Sequence, residues 1–497
     1  MNQGEKRYFK RFISTFERKN KIYLKVYNAI DKQKEYDEKA LKKKFEKENF
    51  TKHFAVTKNN LYNIILKSLR FYHSNDSPHE KVNKHKSNYI ILYHKALHEL
   101  ASKEVQKASK IAEENEFFLE KVLLAHWQNN EALFAELYYN IGNAEKNLDQ
   151  TLEYIEDLKQ YHLSVNICRK IELFQIRYNL RTQKDQEALA EFINNPLFKE
   201  RTSTFFLVNY HKIVAKISCY SSMKDYEKAN IENKKLIDLK LKNPQVHQAN
   251  PSHLYGDYYN YLYASIRLMP WDKVEPLIAE CLKALGDIKT SRFSLFDYDR
   301  IIFDLSFFLK LEHFLLVGKI DCIPATLSKV EKEFVHVKDG LGKLYFLHYH
   351  YNLAYAHFMI GSYKKAQEYL VELLNSPILK SRKDYLAATH VLNLFTHYEL
   401  GNFDYLSYQL KNTKQLLQRQ EYLYGFEENA IALLSKLHKA KTKKERTLIL
   451  EDYQIVFDDL AQRTWEIDAF ERFNIQYWIH QKLENITTDK KKEMSNL

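Results

Sequence analysis

Turn-forming residues are scarce in this chain: 497 residues contain only 10 glycines and 8 prolines. A chain built from short strands needs a tight turn every few residues and spends Gly, Pro, Asn and Asp on it. This one runs in long segments with few reversals, so the pattern inside the segments decides what they are. From about residue 88 onward, apolar residues recur every three to four positions, and short polar breaks separate the runs. That is the pattern of an all-α chain. Hydrophobic residues make up 45% and charged residues 28% of it, which supplies a core and excludes a disordered, collagen-like or disulfide-scaffold chain.

The breaks are themselves periodic. Arg181–Asp185, Lys224–Tyr226, Met269–Trp271, Gly318–Ile320, Gly361–Tyr363 and Gly401–Phe403 follow one another at intervals of 40 to 49 residues. Ala101–Lys103 and Lys439–Lys444 are further breaks toward the two ends, while Gly142 sits at the right distance but has flanks that do not match, with the inside of a long helix as the alternative reading. Such a period marks a stack of helix pairs, each burying one face against its neighbours.

One unit, residues 351–377, shows the pattern in detail. Leu353 and Ala354 form a large–small pair on the first helix, Gly361 and Tyr363 mark the turn, Ala366 is the small residue of the second helix, and Pro377 closes the unit. Small residues let antiparallel helices approach, glycine permits a left-handed turn, and the turn aromatic fills the gap between pairs. On these residues the segment resembles a tetratricopeptide repeat. The period is longer than the roughly 34 residues of that family, so an armadillo- or HEAT-like pairing at about 40–47 residues is an alternative description. The resemblance implies an α-solenoid over residues 89–484. The segment Trp465–Leu483, with Ile467, Phe470, Phe473 and Trp478 at near-helical spacing, is expected to cap it, and 485–497 reads as a polar tail.

The formal net charge of +12 is not spread over the chain. Residues 1–72 hold 19 Lys and Arg against 8 Asp and Glu, a net of +11. The remainder is nearly neutral. A polar stretch at 73–88 containing Pro78 reads as a linker. Before it, Tyr8, Phe9, Phe12, Ile13 and Phe16 form one helical stripe, and Tyr23, Val26, Tyr27 and Ile30 a second. Asp37 is expected to cap a short helix presenting Leu41 and Phe45. Thr57 is expected to cap a longer one with Leu61, Ile64, Ile65, Leu69 and Tyr72 facing inward. Residues 1–72 thus read as a small basic domain of about four helices. The outer face of its last helix carries Lys58, Asn59, Asn60, Tyr62, Asn63 and Lys67. Asn can bond adenine edges and Lys can neutralise phosphate, so Lys58, Asn59, Asn60, Asn63 and Lys67 are candidate nucleic-acid contacts. The connection at Glu46–Val56 is too long for a tight helix-turn-helix turn.

No stretch reaches 18 uncharged apolar residues, so no membrane partner is expected. Cys168, Cys219, Cys281 and Cys322 are at least 40 residues apart with no CxxC, which points to reduced buried thiols and a cytoplasmic location. His94 and His98 have a spacing used by helical metal sites, but no third ligand completes a set. His348 and His350 point to different sides of a helix. Asp297, Asp299 and Asp304 are accounted for by helix capping. No phosphate loop, nucleophile elbow or dinucleotide motif occurs, so the expectation is a non-enzyme with no cofactor and no catalytic or metal residue.

One aromatic patch is dense. Tyr255, Tyr258, Tyr259 and Leu262 form a stripe with Tyr263 at its edge, and Tyr255, Tyr258, Tyr259 and Tyr263 are candidate partner-binding residues. The expected function is a protein–protein interaction scaffold or adaptor that binds a protein or peptide on the concave face of the array. The alternative is a transcriptional or nucleic-acid-associated regulator, with a DNA-binding residues 1–72 domain and a sensor array.

Overall fold

The computed structural model describes every residue except 17–20, 34, 74–76, 140–143, 200–202, 245–250, 288–294, 339–341 and 496–497. The protein is all-α, 86% helical, with no strand among the described residues. It packs as two units, Met1–Tyr161 and His162–Leu497.

In the first unit, α1 (Gln3–Phe16), α2 (Lys21–Asp31), α3 (Glu38–Lys44) and α4 (Phe54–Tyr72) share a core of Phe9, Ile13, Val26, Tyr27, Leu41, Phe54 and Leu61. Asp37 caps α3, accepting a hydrogen bond from the Ala40 amide at 3.0 Å. Thr57 does not cap α4. A 3-10 turn at Asn49–His53 leads into that helix one turn earlier, and the buried Thr57 hydroxyl donates to the His53 carbonyl. Tyr72 lies outward rather than inward, with its ring 5.2 Å from that of Tyr8.

The stretch read as a linker is largely helical. α5 spans Pro78–His94: Ser77 accepts from the Glu80 amide, Pro78 sits where its missing N–H is harmless, and Val82 and Tyr89 are buried. Its many polar residues are the exposed face of an amphipathic helix. α6 (His98–Glu114) packs between α5 and α7 (Phe118–Tyr139) through Ala101, Val105, Ala108 and Ala112, all fully buried. Ala101 is therefore interior, not a break. The reversal falls at Lys95–Leu97, where Ala96 is left-handed at φ 58°. His94 ends one helix and His98 begins the next, so the two do not share a helix face. Gly142 lies outside the described residues.

The long helix α8 (Ala144–Arg177) leads into the second unit. There follow α9 (Gln183–Ile193), α10 (Phe206–Ser222), α11 (Tyr226–Leu241), α12 (Pro251–Leu268), α13 (Trp271–Asp287), α14 (Leu295–Phe303), α15 (Leu309–Val317), α16 (Ile323–Val337), α17 (Lys343–Met359), α18 (Tyr363–Asn375), α19 (Lys383–Glu399), α20 (Phe403–Arg419), α21 (Gly425–Lys439) and α22 (Lys443–Ala461). Consecutive helices pack on each other, as in a helical array. In the segment 351–377, Leu353, Ala354 and Ala366 are fully buried, and the Tyr363 ring packs 5.4 Å from Phe358.

The segment expected to cap the array is broken into several elements. Thr464–Glu466 is a 3-10 turn, α23 covers Ile467–Arg472, Phe473 is extended at φ −141°, and α24 runs Ile475–Ser495, through most of the stretch read as a tail.

Left-handed residues close the helix turns at Leu180, Lys224, Gly318, Gly361, Gly401 and Glu421. With Ala96 and Glu116 in the first unit, three of the eight left-handed positions among the described residues are glycine, so glycine alone reveals fewer than half of them. An L-residue in this conformation costs roughly 1–2 kcal/mol. A Cβ on Gly361 would meet nothing within 4 Å, so only backbone strain opposes it. Gly361→Ala is expected to cost about 1 kcal/mol. Glu421→Gly, at an exposed position, is expected to stabilise by about 0.5 kcal/mol, since relief of strain exceeds the added chain entropy. Urea midpoints at constant m-value measure both.

Candidate functional site: a charged inner face

Helices α12, α15, α17, α19 and α21 contact one another in succession, and α13, α16, α18, α20 and α22 pack behind them. The chain's own segment Thr464–Asn474 lies against the front layer and against the loops at Arg181 and Lys224. Three cations meet three carboxylates of that segment. Arg181 reaches Glu466 at 2.5 Å, Lys224 reaches Asp468 at 2.5 Å, and Arg267 holds Glu471 with two hydrogen bonds of 3.0 and 2.9 Å. The Tyr226 hydroxyl also donates to Glu471. In the reverse sense, Arg472 donates to Asp384 on α19 at 2.7 Å, and Arg382 holds the same carboxylate. Main-chain groups join in: Tyr351 donates to the Arg472 carbonyl at 3.1 Å, and the Asn474 amide donates to the Tyr355 hydroxyl at 3.0 Å.

These groups are charged for identifiable reasons. Burial opposes the charge on Asp468, but Lys224 and Arg472 outweigh it and hold the carboxyl well below the usual range. Asp384 is lowered in the same way by Arg472 and Arg382. Arg181 donates to both Glu427 and Glu466 and lies 4.9 Å from the centre of the Tyr424 ring. With one guanidinium between two buried carboxylates, burial pushes the Glu466 carboxyl upward against the pull of Arg181. The second oxygen of Glu466 accepts from the Gly425 amide at 3.1 Å, and a Cβ at Gly425 would stand 3.0 Å from it. A larger residue at Gly425 would press on both the Leu460 side chain, at 2.9 Å, and this Glu466 oxygen.

Further along the layer, His348 lies 3.2 Å from Glu312 and 3.0 Å from the Tyr385 hydroxyl. Burial disfavours its imidazolium, but Tyr385 and Glu312 outweigh that and raise its pKa to about 10. His350, two residues on, turns to Glu372 and the Phe346 carbonyl, on a different side as expected. Asp304 is not a helix cap. A π-helical turn at Asp304–Phe308, between α14 and α15, places it inside the protein, where Tyr255, Tyr349 and Arg300 bond it. Asp299 is exposed, and the side chain of Asp297 lies outside the described residues.

The four candidate tyrosines divide accordingly. Tyr255 donates to Asp304 at 2.5 Å and is core, as is Tyr258. Both were expected on a binding surface, but the α12 stripe they lie on faces the neighbouring helices. Tyr259 lies 3.4 Å from both Glu312 and His348. Tyr263 alone borders open space, with Arg267 stacked 3.7 Å over its ring. That space is a cavity of about 490 Å³ between α8, α10, α12 and the segment Thr464–Asp468. Its walls carry Gln175, Asn179, Ser218, Ser221, Ser222, Asn260 and Trp465, besides Lys224, Tyr226, Tyr263 and Asp468. The residues that build this face, Arg181, Lys224, Arg267, Asp384, Glu466, Asp468, Glu471 and Arg472, are not singled out by sequence reasoning. The one local signal is that charges interrupt the aromatic run Trp465–Phe473.

In the first unit, Asn59, Asn60, Asn63 and Lys67 are exposed on α4 as expected, and Asn60 bonds the Tyr23 hydroxyl. Lys58 is half-buried and paired with Glu38. Of the cysteines, Cys168, Cys219 and Cys281 are buried, while Cys322 is exposed, unlike the expected buried thiol. Burial pushes the Cys168 thiol up to about 11. Among the described residues no group of three metal-binding side chains occurs, and no helix is long and apolar enough to cross a membrane.

The fold and this face define an all-α protein of sequentially packed helices with a cluster of paired charges along one layer. No protein-family model matches the chain, and no curated protein matches it in sequence.

Proposed function

We propose that the second unit is a tetratricopeptide-like α-solenoid with a repeat of about 40 residues, and that the protein is a non-catalytic interaction scaffold binding a protein or peptide on its inner face. The observation that carries this reading is that the face already holds a peptide, the chain's own segment 464–474, through side-chain pairs and main-chain hydrogen bonds, and leaves a cavity open beside it. Peptides selected by phage display on the full chain should protect α10, α12 and residues 464–474 from hydrogen exchange. Failure to select any peptide, or protection confined to residues 1–72, refutes this reading. The alternative, a regulator contacting nucleic acid through residues 1–72, rests on the exposed Asn59, Asn63 and Lys67 and the net charge of +11 there. Duplex DNA bound at low salt and released as salt rises, with protection on α4, favours it.

A further inference from the structure

We infer that the 490 Å³ cavity is a subsite for the uncharged main chain of an extended peptide segment, with Asn260 as its principal hydrogen-bonding residue. The inference rests on the scaffold reading and gives it a place and a chemistry.

Size comes first. The volume lies within the roughly 300–1,000 Å³ of small-ligand sites. Charge comes second. On this face five cations (Arg181, Lys224, Arg267, Arg382, Arg472) meet five carboxylates (Asp384, Glu427, Glu466, Asp468, Glu471). Each charge already has a partner, Lys224 and Asp468 in the cavity wall included, so a charged ligand group would have to compete with an existing ion pair to be held. A neutral one displaces only water.

The hydrogen-bonding groups come third. The Asn260 carboxamide, the Ser221 hydroxyl and the Trp465 indole N–H line the cavity, and among the described residues they have no hydrogen-bond partner. Gln175, by contrast, is committed to Ser218 and Ser222. A carboxamide both donates and accepts, which matches one peptide unit with its own N–H and C=O. The rings of Trp465 and Tyr263 offer flat apolar surface to the side chain that follows. The neighbouring stretch of the same face already satisfies main-chain groups with neutral donors and acceptors, at Tyr351 and Tyr355.

The test uses the full-length chain and a pool of N-acetylated, C-amidated tetrapeptides of uncharged residues, followed by ligand-observed NMR, with cello-oligosaccharides as a second class of neutral ligand. Tetrapeptides are expected to bind and to lose about tenfold in affinity with Asn260→Ala, the worth of one to two hydrogen bonds. Asn260→Asp should lose at least as much. Asn260 is exposed and unbonded, so both variants should keep the wild-type thermal midpoint. Trp465→Phe, which removes the N–H and keeps a ring, should weaken binding less than Asn260→Ala. Tetrapeptide binding unchanged by Asn260→Ala, tighter binding of saccharides than of every peptide, or no binding by either class overturns the inference. If display-selected peptides still protect the inner face in the Asn260→Ala chain with undiminished affinity, the subsite assignment fails while the scaffold reading stands.

Discussion

Arg181→Ala is expected to destabilise the second unit by about 3–5 kcal/mol, the usual cost of removing one partner from a buried ion pair. Arg181 is 4% exposed and donates to both Glu427 and Glu466, which are equally enclosed. Without the guanidinium, two carboxylates share a dry site in which burial already pushes Glu466 upward. The contacts join residues 246 and 285 positions apart, so their loss should loosen the hold on residues 464–474 as well as lower stability. The urea midpoint measures the first effect, and hydrogen exchange of residues 464–474 measures the second. A companion variant isolates the cause. Replacing Arg181 with Met and Glu427 and Glu466 with Leu removes the charges together, and should recover most of the loss, because no unpaired carboxylate remains. If Arg181→Ala costs less than about 1 kcal/mol, the triad is solvated like a surface pair and the argument fails.

Phe473→Ala is expected to cost a similar amount, about 3–5 kcal/mol, through a different mechanism. Phe473 is 1% exposed and packs against Phe395 at 4.7 Å, Phe358 at 5.6 Å and Tyr355 at 6.0 Å. Its truncation leaves a cavity among three aromatic rings on two different helices, which cannot all move inward. Phe473→Leu keeps most of the volume and should cost less than about 1.5 kcal/mol. Thermal and urea unfolding distinguish the two variants. Equal losses would mean that aromatic contact, not volume, holds the segment.

The two variants bear on function because residues 464–474 form one wall of the cavity beside Asn260. A chain that holds this segment loosely should bind the uncharged tetrapeptides more weakly even though Asn260 itself is unchanged. That follows from Trp465 and Asp468 lining the same space as Asn260 and Tyr263.

Much of the fold was legible in the residues. Scarcity of turn formers and the three-to-four spacing identify the all-α class, and Gly318, Gly361 and Gly401 do occupy left-handed turns. Leu353, Ala354 and Ala366 are buried where the repeat pattern places them. The turns at Ala96, Glu116 and Glu421 were harder to read, because there the chain accepts backbone strain in an ordinary residue and leaves no compositional mark, whereas those at Leu180 and Lys224 fall at or beside polar breaks of the periodic series. Pro78–Asn88 was misleading for the opposite reason: a helix with one buried face needs few apolar residues, and Val82 and Tyr89 suffice.

The inner face was not legible at all. Periodicity identifies which side of a helix is apolar, and it is silent about a charge that becomes buried by a partner 88 to 285 residues away. Arg181, Lys224, Arg267 and Asp384 look like solvated surface residues until residues 464–474 supply Glu466, Asp468, Glu471 and Arg472. Likewise Tyr255 and Tyr263 belong to one tyrosine cluster on one helix, yet Asp304, turned inward by the π-helical turn, makes Tyr255 core, while the cavity leaves Tyr263 at an open wall. Local spacing was enough to identify the all-α class and most of the helices, because those depend on contacts within a few residues along the chain. Only the tertiary structure decided which charges are paired and where space stays open, because both depend on long-range juxtapositions that local spacing does not encode.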